Sequence, residues 1–197
     1  MRKTRGTEGK LILDHGFEGD AHAGDWHRQV SLLGQESIDD MVAAGLNVGP
    51  GDFAENITTL GVGLLELPIG SLIKLGSSAV VEISQIGKVC HTRCAIYYQA
   101  GDCVMPRDGL FAVVRAAGSV RAGDPIEVVA LGDGTCDRTP ASAIAEFEAE
   151  KAAEAQARAN GNRPDRRIPS RSFGRPGEAV RTQVWKLPDR LSPRPRS

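Results

Sequence analysis

The chain has 197 residues, of which 41% are hydrophobic and 25% are charged, and its formal net charge is −1. This size and composition are typical of one well-buried globular domain with an appendage. No apolar run approaches the ~20 residues that span a bilayer, and the basic N-terminus lacks the apolar segment of a secretory signal peptide. We therefore expect a cytoplasmic protein that does not enter a membrane.

Charge is divided unevenly along the chain. Residues 160–197 carry ten Lys and Arg against three Asp and Glu, so residues 1–159 carry fourteen against twenty-two. The acidic body argues against a nucleic-acid-binding core, because such binding needs clustered Lys and Arg that neutralise phosphates. The basic tail alone could attract a polyanion or an acidic partner, with little specificity.

Short apolar and alternating runs separated by Gly-containing turns predict many short strands in the body. This pattern favours a mainly β fold with a few helices, in the form of a compact barrel or a curled mixed sheet. The predicted strands cover residues 11–13, 29–33, 57–59, 72–75, 79–86, 110–115 and 126–129. Gly- and Asp-rich residues 14–24 predict a long loop, and residues 105–109 and 118–124 predict turns.

Three segments predict helices. Residues 36–44 place Ile38, Met41 and Val42 at i, i+3 and i+4, and Gly45 ends the pattern. A short helix or helical turn is predicted over residues 92–100. The third helix covers the Ala/Glu-rich residues 141–159, which offer little apolar face to bury.

We divide the chain into a folded domain over residues 1–132 and a tail over residues 133–197. Beyond Asn160 the sequence is rich in Arg and Ser and contains six prolines, which predicts disorder. Trp185 is the exception, because it could dock locally.

The residues that follow the predicted strand 79–86 carry the most reactive chemistry in the chain. Cys90, His91, Arg93 and Cys94 place two thiols beside an imidazole and a guanidinium. A thiolate is both a nucleophile and a soft-metal ligand, and a nearby cation or a helix N-terminus favours it. The alternative is that these thiols are buried core residues. A zinc ribbon is disfavoured, since the C-x₃-C pair lacks a matching second pair, whereas a disulfide stays open.

Polar loops elsewhere supply further candidates. Asp20 and His22 lie in a glycine-bounded loop, where they could face a ligand or only hydrogen-bond locally. Arg28 ends a short run that adds an imidazole and an aromatic ring, and Arg107 could reach an anion. Asn56 carries donors and an acceptor in one side chain, as recognition of a heterocycle edge requires.

Several of these motifs, taken in chain order, resemble the MOSC domain, the family named after the C-terminal domain of molybdenum-cofactor sulfurase. The resemblance runs from about residue 11 to residue 129, and the segments 90–94 and 101–107 resemble a stand-alone bacterial subgroup. The matching motifs are Gly19-Asp20-x-His22-x-Gly24, Arg28-Gln29-Val30-Ser31-Leu32-Leu33, Gly51-Asp52-Phe53-Ala54-Glu55-Asn56-Ile57, Leu67-Pro68-Ile69-Gly70, Gly87-Lys88-x-Cys90 and Gly118-x-Val120-x-x-Gly123-Asp124.

The resemblance implies a MOSC-type β-barrel in which Cys90 is central to function. Cys90 would ligate the molybdenum of a bound molybdenum cofactor (molybdopterin), for cofactor handling, transfer or an oxotransferase-type reduction. It could instead carry sulfur as a persulfide. The implied cofactor-binding residues are Asp20, His22, Arg28, Asn56, Arg93 and Arg107, with Arg28, Arg93 or Arg107 holding the phosphate. A cysteine desulfurase or a molybdoenzyme apoprotein would be the protein partner, and the family is also associated with pyridoxal phosphate binding.

Two departures from the family pattern leave a third hypothesis open. Family members begin with an additional strand before the segment that matches residues 3–10, so its absence here would leave an open sheet edge. The tail from Thr135 has no counterpart in the domain. The third hypothesis, beside cofactor binding and sulfur carriage, is a non-enzymatic binding module whose basic tail recruits an acidic partner or RNA.

Overall fold

The computed structural model describes residues 4–90, 103–160 and 181–186. Strands dominate these ranges. They are β1 (Thr4–Gly6), β2 (Glu8–Ile12), β3 (Gly16–Phe17), β4 (Val30–Gly34), β5 (Ile57–Leu60), β6 (Leu72–Leu75), β7 (Ala79–Ile86), β8 (Leu110–Ala116), β9 (Gly118–Arg121), β10 (Ile126–Ala130) and β11 (Arg181–Lys186). The helices are α1 (Gln35–Ala43), α2 (Met105–Asp108) and α3 (Ala141–Ala159), with a 3₁₀ turn at Leu64–Glu66.

The strands form two sheets. The larger has eight strands in the order β1-β11-β5-β4-β8-β7-β6-β10, and the smaller has the order β3-β2-β9. The β4–β5 pair is parallel, and the other described pairs of the larger sheet are antiparallel. The expected fold class, mainly β with a few helices in a curled mixed sheet, is confirmed.

Apolar side chains of both sheets enclose the main core. The register sets Val81 opposite Val114 and Ile83 opposite Ala112, and all four are fully buried. β-branched residues suit this position because their stiff side chains pack well on a pleated surface. A second cluster lies beneath α1 and α2, and comprises Leu33, Ile38, Met41, Phe53, Cys103, Val104, Met105 and Phe111.

The predicted helices 36–44 and 141–159 correspond to α1 and α3. In α1, Ile38 and Met41 are buried, whereas Val42 is 48% exposed, so the apolar stripe is narrower than its spacing suggested. Gly45 follows the helix with a φ of +94°, which only glycine adopts readily. The described side chains of α3 are mostly exposed, in agreement with its weak apolar face.

Two segments predicted as turns form regular structure. Residues 105–108 form α2, and β9 occupies 118–121 of the segment 118–124. β9 is stabilised by pairing with β2, in which Val120 is opposite Gly9. The predicted long loop 14–24 also contains β3, which pairs with the end of β2. β9 depends on a partner strand far away in the sequence, which local turn composition does not reveal.

Residues 181–186, beyond Asn160, form β11 and are not disordered, and they include Trp185, for which docking was expected. β11 lies between β1 and β5, with Val184 opposite Gly6 on one side and opposite Ile57 on the other. A strand from the tail thus covers the edge of β5, and β1 lies outside it. Backbone hydrogen bonds on both sides hold this strand despite the composition of the surrounding tail.

Some predictions fall outside the described residues. They are the helix over 92–100 and the placement of His91, Arg93 and Cys94. In the part of the chain that the structure describes, no helix is both long enough and apolar enough to cross a membrane.

Candidate functional site

Cys90 follows β7 in a segment whose backbone is hydrogen-bonded to residues in and just after α2. Gly87, with a φ of +72°, donates its N–H to the Gly109 carbonyl (2.7 Å). The N–H of Lys88 donates to the carbonyl of Pro106 in α2 (3.0 Å). Cys90 itself is half-buried and its thiol is free of any disulfide. The backbone on the N-terminal side of this thiol is therefore anchored, while the side chain keeps partial access to solvent.

The guanidinium of Arg28 stacks on aromatic rings beside this segment. Its central carbon lies 4.8 Å from the ring centre of Trp26 and 5.7 Å from that of Phe111. The Lys88 ammonium lies 6.0 Å from the same Phe111 ring. Such stacking orients a cation without using its N–H donors. Nε of Arg28 is buried and has no hydrogen-bond partner among the described residues. We call Arg28, Lys88, Cys90 and Phe111 the Cys90 cluster.

Electrostatics couple Arg28 to Cys90. Burial lowers the pKa of Arg28, while Glu146 in α3 and Cys90 act in the opposite direction and raise it. The guanidinium stays charged at neutral pH, since an arginine titrates far above it. Because this attraction is mutual, the charge of Arg28 favours the thiolate form of Cys90, which is the form that acts as nucleophile and metal ligand.

Asp20, Ser31 and Asn56 form a second polar group, which we call the buried brace. The Asp20 carboxylate accepts from Nδ2 of Asn56 (2.8 Å) and from the N–H of His22 (2.8 Å). Oδ1 of Asn56 accepts from both the N–H and the hydroxyl of Ser31, at 3.0 and 2.9 Å. All three brace residues are buried. The brace ties the loop before β4 to the turn before β5.

That turn carries local strain. Ala54 has a φ of +65°, in the left-handed region that costs a residue with a Cβ about 1 kcal/mol. The fully buried Glu55 accepts from the N–H of Gly51 and from the hydroxyl of Thr58. These bonds hold the turn in the conformation that presents Asn56 to the brace.

The structure separates the predicted site residues into groups. Arg28 and Cys90 belong to the Cys90 cluster, whereas Asp20 and Asn56 belong to the brace. His22 lies next to the brace, where its Nδ1 is 3.6 Å from the Asp20 carboxylate and its side chain is half-exposed. Arg107 lies in α2 and pairs with its neighbour Asp108 (2.8 Å).

Sequence reasoning missed Lys88 and Phe111 as site residues. Lys88 stands inside the Gly87-Lys88-x-Cys90 motif, so its proximity to Cys90 was a usable signal. Phe111 is 21 residues beyond Cys90 in a predicted strand, and it reaches the site because β8 lies between β7 and β4. Only the strand order could have revealed it.

A cavity of about 520 Å³ lies elsewhere, beside Glu82, Cys136 and Asp137. Ligand atoms of these three residues lie within 4.8 Å of one another. Arg115 pairs with both carboxylates, at 2.5 Å for Glu82. Burial alone would lower the pKa of Arg115, but these hydrogen bonds raise it above its ordinary value. Burial also raises the pKa of the Cys136 thiol, which makes it less reactive.

A family model of the MOSC domain matches residues 19–127, more than half of the chain. The protein therefore belongs to the MOSC domain family, which is known for binding molybdenum cofactor. No curated protein matches the chain.

Two solved structures share the fold. One is YiiM from Geobacillus stearothermophilus, which is 16% identical, with a TM-score of 0.51, 72% of this chain covered and 83% of that one. The other carries the description of a hypothetical protein and is 18% identical, with a TM-score of 0.52, 77% of this chain covered and 92% of that one. At these identities the likeness concerns the fold alone.

Proposed function

We propose that this protein binds molybdenum cofactor through Cys90, for cofactor handling or transfer or for an oxotransferase-type reduction. Molybdenum is a metal that accepts thiolate ligands, and Cys90 is a half-buried thiol in the field of a cation. The cofactor would supply the redox-active metal centre, and the protein would supply binding, orientation and electrostatics.

The observation that carries this proposal is the lack of a hydrogen-bond partner for the Arg28 side chain at its Nε. A buried Nε without a partner among the described residues costs free energy, and a phosphate or other anion accepting from it would recover that cost. The stacked rings of Trp26 and Phe111 hold the guanidinium in place before any ligand arrives. Lys88 adds a second positive charge over the Phe111 ring. A thiol beside two cations suits an anionic ligand that carries a soft metal.

The remaining predicted residues take supporting roles in this proposal. Asp20 and Asn56 hold the loop that carries Arg28. His22 and Arg107 are proposed as further cofactor-binding residues on the basis of the family resemblance. Arg93 is proposed as a further phosphate ligand on the basis of the family resemblance. The cell compartment proposed for this activity is the cytoplasm.

Metal analysis of protein expressed in a molybdate-supplied host tests the proposal. We expect near-stoichiometric molybdenum in the wild type and its loss in Cys90→Ser. The matched control is Cys136→Ser, which removes a buried thiol in the cavity near Arg115 and should retain the metal. A molybdoenzyme produced in the same cells verifies that cofactor is available.

The proposal is overturned if the wild type contains no molybdenum while that molybdoenzyme is loaded. In that case, incubation with a cysteine desulfurase distinguishes the alternative. A mass increase of one sulfur atom on Cys90, absent from Cys90→Ser, would establish sulfur carriage as a persulfide instead.

A further inference from the structure

The side chain of Gln85 joins the loop that carries Arg28 to the backbone that leads to Cys90. Gln85 is buried near the end of β7. Its amide nitrogen donates to the carbonyl of Gly87 (2.8 Å), and its amide oxygen lies 2.9 Å from Nε2 of His27. One side chain therefore contacts both halves of the candidate site.

These two contacts fix the tautomer of His27. A carbonyl oxygen can only accept, so the contact with Gly87 requires the amide nitrogen of Gln85 and leaves the amide oxygen facing the imidazole. The amide oxygen can also only accept, so Nε2 of His27 carries the hydrogen. In the neutral ring, Nδ1 is then a hydrogen-bond acceptor.

The surroundings keep this imidazole neutral and oriented. Burial and, next, the charge of Arg28 lower the pKa of His27, against the hydrogen bond to Gln85, which raises it. The carbonyl of His27 accepts from the hydroxyl of Ser84, the residue before Gln85. The ring also meets that of Trp26 edge-on, with 5.9 Å between the ring centres. Consecutive residues of β7 thus hold both the backbone and the ring of His27.

We propose that Gln85 is a positioning residue that couples His27 to the segment Gly87–Cys90 and holds the ring as its Nε2–H tautomer. Nδ1 of His27, one residue before Arg28, is then a hydrogen-bond acceptor in a fixed orientation. Its importance rests on the proposed role of Cys90, but the coupling exists in the protein without cofactor.

Two measurements on cofactor-free protein test the coupling. Nitrogen NMR of the imidazole should show the Nε2–H tautomer in the wild type and the loss of that preference in Gln85→Met. Alkylation of Cys90 by iodoacetamide, followed by peptide mass spectrometry, should be about threefold faster in Gln85→Met, as expected from the loss of one hydrogen bond that anchors the segment.

A double-mutant cycle adds His27→Phe, which removes the imidazole. Because both substitutions break the same link, Gln85→Met combined with His27→Phe should alkylate at the rate of Gln85→Met alone. The matched control is Gln29→Met, since Gln29 is a buried glutamine whose amide oxygen accepts from the N–H of Val114 instead. It should leave both the tautomer and the alkylation rate unchanged.

The proposal is overturned if His27 keeps its Nε2–H tautomer in Gln85→Met. It is also overturned if His27→Phe alone leaves the alkylation rate unchanged, or if His27→Phe raises that rate by the same factor with and without Gln85→Met. Should Gln85→Met not fold, Gln85→Asn keeps the amide but shortens the side chain, and it is expected to give the same two changes. Neither readout involves molybdenum, so a failure of this coupling and a failure of cofactor binding are distinguishable.

Discussion

The buried brace and the Cys90 cluster flank the same loop but differ in how their polar groups are satisfied. In the brace, the carboxylate of Asp20 and the amide of Asn56 are buried and hydrogen-bonded to each other and to neighbouring groups. In the Cys90 cluster, Arg28 is half-buried on aromatic rings and its Nε has no partner among the described residues. A satisfied buried network stabilises a structure, whereas an oriented but unsatisfied cation is suited to bind.

The largest expected effect is on stability, in the brace. Asn56→Ala removes a hydrogen bond that the buried Asp20 carboxylate accepts and the acceptor for Ser31. We expect the free energy of unfolding to fall by about 3 kcal/mol, measured by urea denaturation. Gln35→Ala, which removes an exposed amide bonded to Asp39, is the control and should cost under about 0.5 kcal/mol. Equal effects would mean that the brace is not structural.

In the Cys90 cluster, we expect a substitution to weaken metal binding and to change stability little. Arg28→Met keeps an unbranched stem between the rings but removes the charge, so molybdenum retention should fall about tenfold, as for the loss of a charge-assisted hydrogen bond. The free energy of unfolding should change by under about 1 kcal/mol. Arg121→Met, at the exposed arginine of β9 that pairs with Glu8, should retain the metal. Comparable losses of molybdenum in Arg28→Met and Arg121→Met would show that Arg28 has no specific role in binding.

A pH dependence should arise from His27. Burial first, and then the charge of Arg28, lower its folded-state pKa below the unfolded value of about 6.5. The unfolded chain therefore binds the proton more readily, so stability is lost as pH falls below about 6.5 and levels off below the folded pKa. Urea midpoints compared at several pH values should show a smaller decrease for His27→Phe than for the wild type. An unchanged decrease would contradict this assignment.

The smallest effect is expected at the strained turn of the brace. Ala54→Gly relieves a φ of +65°, and this gain exceeds the added entropy of the unfolded chain. The free energy of unfolding should rise by about 0.5 kcal/mol, which a shift of the urea midpoint at constant slope would reveal. A decrease in the free energy of unfolding would show that contacts of the Ala54 methyl group stabilise the fold by more than the backbone strain destabilises it.

The sequence predicted the elements that local apolar patterning or composition is enough to reveal. The segments 72–75 and 79–86 and the helix 141–159 match the observed bounds of β6, β7 and α3. β9 and β11 were missed because each is stabilised by backbone pairing with a remote strand and not by its own composition.

At the site, the sequence identified the side chains that carry chemistry. Cys90 and Arg28 stand out as a thiol and a cation at family-motif positions, and the structure places them within range of an electrostatic interaction. The sequence could not show that Asn56 belongs to the brace. Nor could it show that Gln85 and Phe111 lie near Arg28 and the segment that leads to Cys90. Those contacts depend on strand order and register, which bring distant residues of the chain side by side.

The sequence by itself determined the β-rich class, the family and the cysteine on which the function is proposed to depend, because these are properties of residue type and local spacing. The tertiary structure decided which polar groups are satisfied and which lack a hydrogen-bond partner among the described residues. It also decided that a strand from the basic tail covers the edge of β5. The physical reason is the same in each case: a buried hydrogen bond is made with whichever partner the fold brings near, and that partner is usually far away along the chain.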